Sequence, residues 1–204
     1  MFTYGYLFYI PVTVIFMLST IIVGVIRRRP FGFYLCGCII CVYLNLVIKE
    51  AIFPIYIDGR DLFLTVRHYV SFDLSFLTLD KLQIVGNILL TLPIGFCMPF
   101  YVNVDRRKNY IISGIISLSI EFIQLMLIIT LHTIDIKFDV KDLILNLSGA
   151  LLGCLILDLI SLMISKIFRK LTEKNNDCID IFSYILFVCD NYTKGKKSID
   201  NLHS

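Results

Sequence analysis

Charge is scarce in this chain. Asp, Glu, Lys and Arg make up 17% of its 204 residues, against about 25% in soluble domains. With 57% hydrophobic residues and a mean hydropathy of +0.81, this excludes an ordinary water-soluble domain. The net charge of +3 offers little to a polyanion, and no RNA- or DNA-binding motif is present, so nucleic acid is not an expected partner. The three histidines show no ligand-like pairing. There is no nucleophile motif and no phosphate-binding loop. No metal and no cofactor is therefore expected. Basic residues before the first apolar run and a small-residue cleavage site after it are both missing, so a secretory signal peptide is not expected either. No internal repeat is visible.

What the chain does have is long apolar runs. A bilayer span takes about 20 residues, and five stretches suffice: residues 6–26, 31–48, 84–102, 110–131 and 143–164. The expected fold is an all-α integral membrane protein with about five transmembrane helices, multi-pass in the cell membrane. "RRRP" (27–30), "DRRK" (105–108) and "SKIFRK" (165–170) then fall on one side. The bias of lysine and arginine in short loops makes that side cytoplasmic, with the N-terminus outside and the C-terminus inside. Lys49, Arg60, Arg67, Lys81, Lys137 and Lys141 fall on the other side, diluted by acids and spread over longer loops.

Residues 1–170 form the expected transmembrane domain and residues 171–204 a cytoplasmic tail. Within the tail, Ile179–Cys189 is too short to span at about 1.5 Å per residue, and it is expected to lie along the inner membrane surface. The residues after it read as a flexible end. Of the seven cysteines, none lies in the two expected outer loops, where disulfides would form. "CGCIIC" (36–41) matches no zinc spacing and reads as small apolar packing residues.

Polar residues inside the apolar runs carry the functional signal, because ionisable groups there cost about 2.5–3.5 kcal/mol. In the fourth run Ser113, Ser117, Glu121 and Gln124 share one stripe of a helix. In the fifth, Asp139, Asp142, Asn146, Gly149 and Gly153 recur at steps of three and four, and Gly149 with Gly153 forms a G-x-x-x-G close-packing pair. In the third, Asn87 precedes Pro93 and Gly95, which are expected to bend the helix. By depth, Asn87, Gln124, Asp142 and Asn146 fall in the outer half and Glu121 near the midplane or just outside it, so three helices bring amides and carboxylates to one region. Lys137, Lys141, Arg60, Arg67 or His68 are available as positive partners. Amides alone often only hold helices together. Acids are poor glue without a partner, so Glu121 and Asp142 point to function. Asp158 lies on another face in the inner half and is expected to meet a cytoplasmic base or a neighbouring helix.

These stretches resemble the three signatures of VanZ-like membrane proteins. The family pattern is approximately N-x4-P-x-G, then S-x-x-x-E-x-x-Q, then D-x-x-D-x3-N-x2-G-x3-G. "NILLTLPIGFCMPF" (87–100) carries the first with one extra residue before Pro93. "SLSIEFIQL" (117–125) and "FDVKDLILNLSGALLG" (138–153) match the second and third. The resemblance spans about residues 30–165. Many relatives place an arginine shortly before the first aspartate of the third motif. Here Lys137 is nearest, and a lysine cannot form arginine's planar bidentate clamp.

The resemblance implies a link to resistance to the glycopeptide teicoplanin, as for the family's namesake. It makes Asn87, Glu121, Gln124, Asp139, Asp142 and Asn146 the candidate ligand-binding residues. Pro93, Gly95, Gly149 and Gly153 are the structural ones. Implied partners are membrane lipids and a lipid-linked cell-wall precursor or lipoglycopeptide. The isoleucine-rich, alanine-poor composition suits a low-GC Gram-positive bacterium. Three alternatives stand beside this reading: an enzyme acting on a lipid head group, with Glu121 or Asp142 as acid or base; a small transporter; and a scaffold in which the polar stripes only set helix packing.

Overall fold

The computed structural model describes residues 6–53, 55, 69–72, 80–132, 136–172 and 180–194. Arg60, Arg67, His68, Cys178 and residues 195–204 lie outside the described residues.

Five long helices carry the fold: α1 (Tyr6–Ile26), α2 (Phe31–Ile52), α3 (Lys81–Tyr101), α4 (Arg106–Leu131) and α5 (Val140–Thr172). A sixth, α6 (Asp180–Lys194), follows. Several helices outrun their apolar stretches because local chemistry, not hydropathy, sets their ends. Pro30, with no N–H to waste, precedes α2. The Asp105 carboxylate accepts from the Lys108 N–H at 2.9 Å and so starts α4 among charged residues. His132 closes α4 in the left-handed conformation at φ 51°. Pro93 and Pro99 lie inside α3, which stays helical through both.

The burial pattern inverts that of a water-soluble bundle. Thr91, Asn109, Ser113, Ser117, Glu121, Asn146 and Asp158 are buried, while Ile10, Ile22, Leu89, Ile111 and Phe122 are exposed. Apolar faces turned outward around a polar interior are what lipid as solvent favours. The chain is an all-α multi-pass membrane protein, and among the described residues five helices are long and apolar enough to cross a membrane.

Two short strands form a feature the hydropathy gives no sign of. β1 (Val70–Ser71) pairs in parallel with β2 (Phe138–Asp139), Val70 opposite Phe138 and Ser71 opposite Asp139. Beneath them Ile128, Ile136 and Phe138 form a buried cluster. This end of the bundle is called the loop end; the other is the arginine-rich end, with Arg27–Arg29, Arg106 and Arg107. The tail segment is a packed element. In α6, Tyr184, Val188, Cys189 and Tyr192 are buried, and the helix touches α2, α3 and α5. Burial pushes the Cys189 thiol up from its ordinary range.

The tightest contact is α3 against α5, and glycine permits it. A Cβ on Gly95 would come 2.0 Å from the Ala150 carbonyl oxygen, one on Gly149 2.4 Å from that of Ile88, and one on Gly153 2.0 Å from that of Leu92. Backbone therefore rests on backbone. Gly153→Val is expected to lower thermal stability in detergent by about 1–3 kcal/mol or more. Gly86→Ala, where a Cβ meets nothing within 4 Å, is expected to hold or raise it. Equal melting of Gly153→Val and wild type would contradict this packing.

Candidate functional site

On α3, Gln83, Asn87, Thr91 and Gly95 follow one another at steps of four, so they line one face. That face meets Asp142, Asn146, Gly149 and Gly153 on α5. Their approach creates a ladder of polar contacts. At the top, Gln83 Nε2 donates to both Asp142 oxygens at 2.9 and 3.2 Å, and Asn87 Nδ2 donates to Asp142 Oδ1. One turn deeper, Thr91 Oγ1 donates to the Asn146 carbonyl at 2.6 Å, with the Asn87 carbonyl also in range at 3.1 Å.

Helix α4 supplies the third wall. Asn109, Ser113, Ser117 and Glu121 recur every four residues, and all are at most 1% exposed. Asn146 Nδ2 donates to Glu121 Oε1. Glu121 Oε2, Asn146 Oδ1 and Ser117 Oγ are buried with no hydrogen-bond partner among the described residues. Buried polar atoms are normally paired, so this spot is short of partners.

The expected residues do not all converge. Asn87, Glu121, Asp142 and Asn146 join the ladder. Gln124 donates to the Ala51 carbonyl at 2.8 Å and ties α4 to α2. Asp139 sits beside the ladder on β2. Its Oδ1 accepts from the Lys141 N–H at 3.0 Å, and its Oδ2 lies 3.5 Å from Lys141 Nζ. Among the described residues the buried cation at this end is thus Lys141, 6% exposed, whereas Lys137 is exposed. Asp142 and Asp139 lie near enough for their charges to act on Glu121.

Gln83 and Thr91 were not among the expected site residues. Their signal was the step of four on either side of Asn87. At the arginine-rich end, Asp158 meets both things expected of it, a base and a neighbouring helix. Arg106 Nη2 lies 2.6 Å from Asp158 Oδ2, and Tyr110 Oη donates to the same oxygen at 2.8 Å. Asn109 Nδ2 donates to the Gly95 carbonyl at 2.9 Å and to Tyr192 Oη of α6 at 3.3 Å.

The Glu121–Asn146 contact is expected to be an energetic coupling, not a mere proximity. A double-mutant cycle with Glu121→Ala and Asn146→Ala, read by unfolding in mixed micelles, should give a coupling of about 0.6–1.7 kcal/mol. Strict additivity of the two losses would show that the two side chains do not interact.

No curated protein and no solved structure matches the chain. A family model described as VanZ/LLP1 matches residues 5–161. The match takes in α1, which the three signatures left out, together with all three polar stripes, and it ends before the tail helix. A match over that much of the sequence shows that the chain belongs to the VanZ/LLP1 family.

Proposed function

We propose that this protein resides in the cell membrane and alters the envelope's susceptibility to teicoplanin by binding a lipid-linked cell-wall precursor or the lipidated antibiotic at the loop-end ladder. Family membership supports the link. The arginine clusters support the orientation. With them on the cytoplasmic side, the ladder opens outward, where cell-wall precursors are exposed.

One observation carries the choice of a binding site over simple helix glue. The amide nitrogens of Gln83, Asn87 and Asn146 and the hydroxyl of Thr91 are all engaged. The buried atoms left over are Glu121 Oε2 and Asn146 Oδ1, both acceptors, and Ser117 Oγ. A contact built only to hold helices would close this deficit within itself. Hydroxyl or amine hydrogens on a ligand head group would close it here, while its chain lies along the apolar helix faces.

A second reading draws on the approach of Glu121, Asp139 and Asp142 to one another: an enzyme that uses one carboxyl as acid or base on a lipid head group. Purified protein with lipid-linked wall precursors separates the two, since saturable binding without turnover supports the binder and turnover the enzyme.

In a strain made less susceptible by this protein, Glu121→Gln is expected to restore teicoplanin susceptibility at equal protein level. Ligand binding should weaken about tenfold or more, the scale of one charged hydrogen bond. Unchanged susceptibility at equal level would remove Glu121 from the site.

A further inference from the structure

The arginine-rich end carries a second feature that the ladder does not use. A wholly apolar cleft of about 280 Å³ lies between α2, α3, α5 and α6. Cys36 and Ile39 of α2, Phe96 and Cys97 of α3, Ile160 of α5 and Ile185 of α6 form its walls. No residue of the polar ladder lines it. Helix interiors rarely leave voids larger than a water molecule, and a wholly apolar space does not hold water. The cleft opens sideways: Ile39 is 56% exposed and Ile160 36%. Both lie on membrane-spanning helices, so the mouth faces hydrocarbon.

Positive charge sits above one end of this cleft. Cys36 and Phe100, both on its wall, also pack against the buried cluster of Phe33, Tyr184 and Val188. The Arg29 guanidinium lies over the Phe33 ring at 5.7 Å. The α1–α2 turn that carries Arg27, Arg28 and Arg29 immediately precedes α2, whose first residue, Phe31, is about 7.5 Å along the helix axis from Cys36. That is the offset between a lipid's charged head and the upper part of its chain. The turn holds an anomaly as well. Arg28 is exposed and adopts φ 45°, a left-handed conformation that glycine takes freely and a long side chain does not. Backbone strain of this kind is kept where the side chain has a use.

We propose that the cleft holds an acyl chain of one anionic membrane phospholipid whose phosphate is bound by Arg27 and Arg28. This site lies at the opposite end of the bundle from the ladder and stands or falls separately from it. The cleft walls supply the affinity for the chain. The arginines supply the preference for negative charge, worth about fivefold per residue near a membrane surface.

The test is native mass spectrometry of the purified full chain in mild detergent, with phosphatidylglycerol or phosphatidylcholine of identical chains added. Wild type is expected to retain one phosphatidylglycerol in preference to phosphatidylcholine by about fivefold or more. Ile39→Trp places a large ring at the exposed mouth, where folding tolerates it, and should reduce both adducts at least tenfold. Arg28→Gly relaxes the turn, so its melting temperature should hold or rise while the preference for phosphatidylglycerol falls about fivefold. As a further readout, bound phosphatidylglycerol should slow labelling of Cys97 by an uncharged maleimide and leave the exposed Cys38 unaffected.

Equal retention of the two lipids by wild type would overturn the charge assignment. An undiminished adduct in folded Ile39→Trp would overturn the cleft. So would a mass increment that survives denaturation, which would mean covalent acylation of a thiol, or a dimer that Ile39→Trp dissolves.

Discussion

The contact on which the rest of the structure depends is backbone against backbone between α3 and α5. In lipid, apolar side chains gain nothing by leaving the bilayer for another helix, so association has to come from close packing and from polar contacts that close packing allows. Gly95, Gly149 and Gly153 supply the closeness: each faces a carbonyl oxygen that a Cβ would strike. Ordinary helix pairs stand about 8–10 Å apart. At that spacing the short hydroxyl of Thr91 could not reach the Asn146 carbonyl, which it meets at 2.6 Å. The glycines are therefore a condition for the polar ladder, and the site and the fold share one cause.

Among the described residues two acids are buried, Asp158 and Glu121, and they are partnered differently. Asp158 is 3% exposed, and one of its oxygens is held by the Arg106 guanidinium at 2.6 Å and the Tyr110 hydroxyl at 2.8 Å. It lies toward the arginine-rich end of the apolar span Val140–Ile164, where Arg106 at the start of α4 can reach it. Glu121 is as buried, and each acid keeps one oxygen without a hydrogen-bond partner among the described residues, but the other oxygen of Glu121 meets only an amide. The same chain thus gives one acid a charged partner and the other an amide alone. Packing alone would call for neither acid, since a buried ion pair is often replaceable by apolar residues without loss. On the proposed function, this difference is what leaves Glu121 available to a ligand.

Much of this was legible in the sequence. Apolar runs of about 20 residues place five helices, because a bilayer admits little else. Polar residues at steps of three and four place the stripes on α4 and α5, because the helical period leaves no other face for them. Less legible was what depends on side-chain reach. Gln124 shares a stripe with Glu121, yet its longer amide finds the Ala51 carbonyl at the end of α2. The β1–β2 pair is two residues on each strand, too short to carry any alternation. The docking of α6 was hidden for a related reason. Its apolar length says only that it cannot span, and the partners of Tyr184 and Tyr192, the Phe100 carbonyl and Asn109, lie more than eighty residues away.

The charge balance of the third motif follows from one of those illegible features. The parallel pairing of Ser71 with Asp139 fixes the start of α5, and within that turn Asp139 receives both the N–H and the ammonium group of Lys141. The buried lysine is thus paired with a carboxylate two residues away. The Lys141 charge also acts on Asp142, whose direct hydrogen bonds come from the neutral amides of Gln83 and Asn87. Below it Glu121 is served by the amide of Asn146. Both carboxyls take their direct hydrogen bonds from amides, and those amide nitrogens are already engaged. A site assembled this way has acceptors to offer and few donors. On the proposed function, such a site suits a head group that brings its own hydrogens.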